Sequence, residues 1–246
     1  MSIAEKFEVI ADAVYEKGIE KGKKDEYDKF WDSFQNKGKR VNYQNGFAGK
    51  GWNDTTFKPK YNIVPTGNGG NMFQETDLTD LEGILQRENK ILNTSQCTTL
   101  QNMFYFSAYL TSVPEIDTSG TTLDSSSLTN AFSSCKKLKT IRKLILKADG
   151  SQKFSSTFAR CEELENIVVE GTIGQNGFNV SACTKLSGAS IVSIIEALST
   201  TTSGLSVTLS QTAVNNMTFP ITGNKGTYNS WTELEQSRTN WTISLV

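Results

Sequence analysis

The spacing of apolar positions changes along the chain, and each spacing predicts an element. Ile3, Phe7, Ile10 and Val14 recur at alternating steps of four and three, the stripe of an amphipathic helix. Tyr27, Phe30, Trp31 and Phe34 share a second helical face. An N-terminal helical segment over residues 1–40 follows. It either packs on its own domain or acts as an oligomerisation or docking helix, because two heptads are too short to hold a coiled coil alone. Residues 41–90 read as a connector and N-terminal cap. Tyr43, Phe47, Trp52, Phe57 and Tyr61 lie among Gly46, Gly49, Gly51 and the run Gly67, Asn68, Gly69, Gly70. Aromatics in such a loop are expected to pin it to a core rather than form an exposed platform. The glycine run lacks a following Lys-Ser/Thr pair, so it is not a phosphate-cradling loop. Thr79 and Glu82 have capping-box spacing, which predicts a helix near 78–89.

From 91 to 190 a different period takes over. Each cysteine stands in a Cys-x-x-Leu frame: Cys97 with Leu100, Cys135 with Leu138, Cys161 with Leu164, Cys183 with Leu186. Phe132, Cys135, Leu138 and Ile141 match Phe158, Cys161, Leu164 and Ile167. Phe104, Ser107, Leu110 and Val113 fit the same frame, with Ser107 in the cysteine place. The unit of Phe178 and Cys183 fits loosely, with two extra residues between aromatic and thiol. Recurrence at this interval marks a solenoid in which each unit is one short helix or turn plus one strand. The aromatic, thiol and aliphatic side chains would stack in a shared interior, where cysteine acts as a small hydrophobe. Buried free thiols explain the four positions better than disulfides, and without a Cys-x-x-Cys pair a zinc site has little support.

Residues 191–246 leave the repeat. Ile191, Val192, Ile194, Ile195 and Leu198 predict a buried helix, and Leu205, Val207 and Leu209 a strand. Ser230 and Glu233 form a second capping box ahead of a helix near 231–239, and Trp241, Ile243 and Leu245 alternate as a last strand. This helix–strand pair is expected to cover the open end of the stack. The fold class is therefore α/β: a solenoid with N-terminal helices and a C-terminal α/β cap.

Composition narrows the chemistry. The 246 residues contain no histidine, which removes Ser-His-Asp triads, Cys-His pairs and histidine-dependent metal sites. No metal ligand set, cofactor site or catalytic residue is implied. The formal net charge of −1 offers no basic excess for nucleic acid. No apolar run approaches the length of a membrane span, and the start of the chain does not read as a signal peptide.

The frame Phe-x-x-Cys-x-x-Leu-x-x-Ile resembles the BspA-like leucine-rich repeats of bacterial surface proteins. A closer resemblance is to leucine-rich-repeat proteins carried by prophages and genomes of gut Firmicutes. It rests on Tyr27 to Phe34, Gly51-Trp52, Lys58 to Tyr61, Ile191 to Gly204 and Asn240 to Leu245. The resemblance implies a right-handed repeat stack used for recognition, on a phage tail or a cell surface. The lack of a signal peptide fits a phage structural protein released by lysis, cytoplasmic until then, better than a secreted adhesin.

The expected function is thus a non-enzymatic binding module, tail-associated or adhesin-like, whose partner is a protein or a cell-surface glycan. A homo-oligomer through the N-terminal helix is part of that expectation. Met103, Phe104, Tyr105, Phe106 and Tyr109 are too dense for all to point inward. Tyr105 and Tyr109 are the candidate ligand contacts, against a reading in which they pack between units. A structural assembly subunit without its own ligand is the alternative. A wall-directed glycosidase would need paired carboxylates, drawn from Asp77, Asp80, Glu82, Glu162 and Glu163, which are expected on helix surfaces.

Overall fold

The computed structural model describes residues 46–59, 62–122 and 127–246. The predicted helices and oligomerisation segment of residues 1–40, together with Tyr43 and Tyr61, lie outside those residues.

Strands β1 (Thr66–Asn68) and β2 (Gln96–Thr99) pair in parallel. Strands β3 (Ser112–Asp117), β4 (Thr140–Ile145) and β5 (Asn166–Glu170) form a parallel sheet in chain order. Val113 lies against Ile141, and Ile141 against Ile167, so the repeat register of the sequence is the register of the sheet. Parallel neighbours require the chain to return to the same end between strands. It does so by winding, and the result is a parallel β-solenoid of about 4 turns with few helices.

The side opposite the sheet is built from turns, not helices. Positive φ recurs two residues before and two residues after the repeat aromatic. It is found at Asn71 and Glu75 around Phe73, Asn102 and Phe106 around Phe104, and Asn130 and Ser134 around Phe132. Asparagine tolerates this left-handed backbone better than most residues, which accounts for its recurrence at the first of these places. The left-handed residues keep the segment from continuing as a helix. Alternate N–H groups then point along the solenoid axis to the next coil: Asn102 to Thr129, Phe104 to Ala131 and Phe106 to Ser133, at 2.9, 2.8 and 3.0 Å.

Inside, the aromatics form one ladder. Ring centroids of Phe47 and Phe73, Phe73 and Phe104, Phe104 and Phe132, and Phe132 and Phe158 are 5.1, 5.3, 5.5 and 5.7 Å apart, with near-parallel planes. Each buried Phe contributes roughly 1.5–3 kcal/mol from removal from water. The ladder starts at Phe47 and Phe73, upstream of residue 91, so stacking takes in part of the stretch read as connector. Phe47, Trp52 and Phe57 pack edge to face on one another, pinning the glycine-rich loop as expected.

Helix α1 (Leu81–Arg87) is capped by Asp80, whose carboxylate accepts from the Gly83 N–H at 2.8 Å. The predicted capping box at Thr79 and Glu82 is not formed. Thr79 is committed to Asp54, and Glu82 pairs with Arg142 at 2.9 Å.

Helix α2 (Gly188–Ala197) is the predicted buried helix. It, and not the final helix–strand pair, closes the exposed edge of the main sheet. The hydroxyls of Ser190 and Ser193 accept from the N–H groups of Ile167 and Val169 at 2.9 and 2.8 Å. Two serines one helical turn apart thus stand in for a missing neighbouring strand.

The remaining elements are β6 (Leu205–Leu209), α3 (Gln211–Asn215), the hairpin of β7 (Ile221–Thr222) and β8 (Thr227–Tyr228), α4 (Trp231–Gln236) and β9 (Trp241–Leu245). Both predicted strands exist, and β6 and β9 pair with each other in parallel as a separate sheet. Ser230 caps α4 as predicted. Arg238 and Trp241 tie this end to the C-terminus of α2, through the carbonyls of Glu196, Leu198 and Ser199. The buried Glu196 carboxylate accepts from the N–H groups of Asn224 and Lys225 at 2.7 and 2.8 Å and from the Tyr228 hydroxyl, clamping the hairpin to α2.

Candidate functional site

The dense aromatic run resolves by backbone position. Met103 and Phe104 are buried. Tyr105 is half-buried, and its ring meets Phe106 edge to face at 4.5 Å. Phe106 is 44% exposed and Tyr109 is 52% exposed. Of the two candidates, Tyr105 packs against Phe106, and Tyr109 is the more exposed. Phe106 was not singled out from the sequence, although two of the three equivalent places in other coils, Glu75 and Arg160, are exposed and charged, the third being the buried Ser134. That polarity was the available signal.

Phe106 holds a φ of 59°, a conformation costly for a bulky residue. Its coil is fixed by bonds on both sides, since the Tyr105 carbonyl accepts from Glu75 and the Phe106 N–H donates to Ser133. An apolar ring is thus held rigidly in solvent, at little entropic cost to a ligand that covers it. The Lys137 ammonium sits 5.1 Å from the centroid of the Tyr109 ring, a cation against an exposed aromatic face.

The other side of the solenoid carries compensated charge. Lys143 lies between Glu115 and Glu170 at 3.7 and 2.9 Å, and the two carboxylates hold its ammonium above the usual lysine range.

The carboxylates considered for hydrolysis are dispersed. Asp77 accepts from the Gly51 N–H, and Asp80 is a helix cap. Glu82 faces Arg142, while burial raises its carboxyl above the usual range. Glu162 and Glu163 lie in a turn rather than on the expected helix surface. Glu163 is bound by Lys185 at 2.6 Å, which lowers it.

All four cysteines are free and buried. Burial pushes the Cys97 and Cys161 thiols up to about 12 and those of Cys135 and Cys183 well above the usual range, so none is poised as a nucleophile. Among the described residues no group of His, Cys, Asp and Glu is placed to hold a metal ion, and no helix is long and apolar enough to cross a membrane. Compared with known protein families, with curated proteins and with solved structures, the chain matches none.

Proposed function

We propose that this chain is a non-enzymatic recognition module. In this reading it is a right-handed leucine-rich-repeat solenoid of BspA-like type, tail-associated or adhesin-like, that contacts a protein or glycan on a bacterial surface. The observation that carries the reading is the set of aromatics Tyr105, Phe106 and Tyr109. The rings of Phe106 and Tyr109 are exposed, and the backbone at Tyr105 and Phe106 is bonded to the coils before and after it. Rigid aromatic surface with an adjacent cation is the composition of binding hot spots, and stacking on a flat apolar face suits a sugar ring as well as a protein side chain.

The test is retention of the purified chain on bacterial cells and on immobilised glycans. Phe106→Ala and Tyr109→Ala together are expected to lower retention at least about tenfold, the loss of roughly 1.4 kcal/mol or more, with an unchanged thermal midpoint. Full retention by Tyr105→Ala and Tyr109→Ala variants would remove those two residues from the site. A chain that binds no cells or glycans and only assembles with itself would favour the structural-subunit reading.

A further inference from the structure

The turn side of the solenoid is polar along its axis. In each stacked coil the backbone N–H groups of the turn donate forward, to carbonyls of the next coil. Asn71, Phe73 and Glu75 donate to Gln101, Met103 and Tyr105. The coil of Asn102, Phe104 and Phe106 repeats this, as does that of Asn130, Phe132 and Ser134, which reaches Ser155, Thr157 and Ala159 at 2.9, 3.0 and 2.8 Å. Ser156, Phe158 and Arg160 hold the same places in the following coil. The backbone is the same there too, with φ of 51° at Ser156 and 60° at Arg160 against 52° and 64° at Asn130 and Ser134. Yet their N–H groups meet no protein acceptor among the described residues. Phe158 is only 1% exposed, and a buried N–H without a partner is rare and costly.

The next coil explains the vacancy. Its frame carries the two extra residues before Cys183. Phe178 is tilted 54° to Phe158 instead of stacking flat, and its backbone bonds sideways to Thr208 of β6. At Gly177, with φ of 97°, a side chain would collide with the Phe154 carbonyl, so the chain turns away immediately beside the unpaired row. A groove of about 520 Å³ remains. Ser155, Ser156, Asn179, Ser181, Ser206 and Thr208 line it together with Arg160, and no carboxylate does. Arg160 makes no ion pair among the described residues, while nearby Glu163 is taken by Lys185.

We propose that this groove is a binding site for an acidic saccharide, with its carboxylate or phosphate oxygens on the N–H row and on Arg160. Successive N–H groups on one edge make an anion-attracting concavity, and a guanidinium pairs with a planar oxyanion in bidentate fashion. The hydroxyl and amide lining supplies both donors and acceptors, as sugar hydroxyls require. The volume falls within the range of small-ligand pockets. The site lies two coils beyond the Phe106 patch and does not depend on it.

Isothermal titration of the full chain with tetragalacturonate, linear polyphosphate and neutral maltotetraose tests the proposal, with Arg160→Gln and the groove-filling Ser181→Trp as variants. Binding of tetragalacturonate but not of maltotetraose is expected. Arg160→Gln should weaken it at least about tenfold, the worth of a charged hydrogen bond, and Ser181→Trp should abolish it. Binding of tetragalacturonate alone would assign the site to carboxylated saccharides, and binding of polyphosphate alone would overturn the saccharide assignment. No binding of either anion, or equal binding by Arg160→Gln, would overturn it. Phe106→Ala with Tyr109→Ala should leave this titration unchanged, which separates its failure from failure of the aromatic patch.

Discussion

The Cys135 thiol lies 3.0 Å from the carbonyl oxygen of Phe104, one coil earlier, and donates to it. Cys161 repeats the contact with Phe132 at 3.1 Å, and the Ser107 hydroxyl makes it with Phe73 at 2.6 Å. The repeat position therefore needs a small side chain that carries a donor, and apolarity alone does not describe it. A serine already serves there in one coil.

That predicts an order of substitution opposite to that of a purely apolar site. Cys135→Ser should cost less than about 1.5 kcal/mol, because the hydroxyl keeps the bond. Cys135→Ala should cost more, since it loses both the donor and the packing of the sulfur. Urea unfolding midpoints measure both, and a serine variant less stable than the alanine variant would show that the bond contributes nothing.

The edge of the main sheet gives a second prediction. Ser190 and Ser193 satisfy β5 from helix α2, so Ser190→Ala with Ser193→Ala strands two N–H groups under a packed helix. A loss of about 2–6 kcal/mol follows if each buried orphan costs about 1–3 kcal/mol. Amide exchange at Ile167 and Val169 should accelerate in the variant, and unchanged exchange there would refute the edge-capping role.

Much of this architecture was legible from residue identity. The three-residue steps through Phe132, Cys135, Leu138 and Ile141 put one aromatic, one small thiol or hydroxyl and two aliphatics in each matching coil, and side chains of matched size can stack only in register. Other features were hidden by ambiguity. Apolar residues at steps of three fit a helix or a stacked turn equally well, and the recurring Asn71, Asn102 and Asn130 carried the distinction. The role of Ser190 and Ser193 was not legible, because a serine bonding to a neighbouring strand has the same local sequence as one bonding to water. The groove follows from the irregular spacing at Cys183. That spacing was visible, but its consequence depended on β6, which is distant in the chain.

The thiols also set an alkaline limit. Cys97 and Cys161 have folded values pushed to about 12, against 9.0 for an ordinary thiol. The unfolded chain loses these protons first, so stability is full below pH 9, falls as pH rises above it, and keeps falling until about 12. Midpoints in urea measured from pH 7 to 11 should show the decline, and Cys161→Ser should flatten it. An identical slope in the variant would mean that other groups cause the loss.

Thiol titration with a disulfide reagent at pH 8 reads the layered, dry interior most directly. In the native chain none of the four cysteines should react, and in denaturant all four should react at once. Prompt reaction of Cys135 or Cys161 in the folded protein would place them outside the stack and contradict the solenoid on which the recognition surface rests.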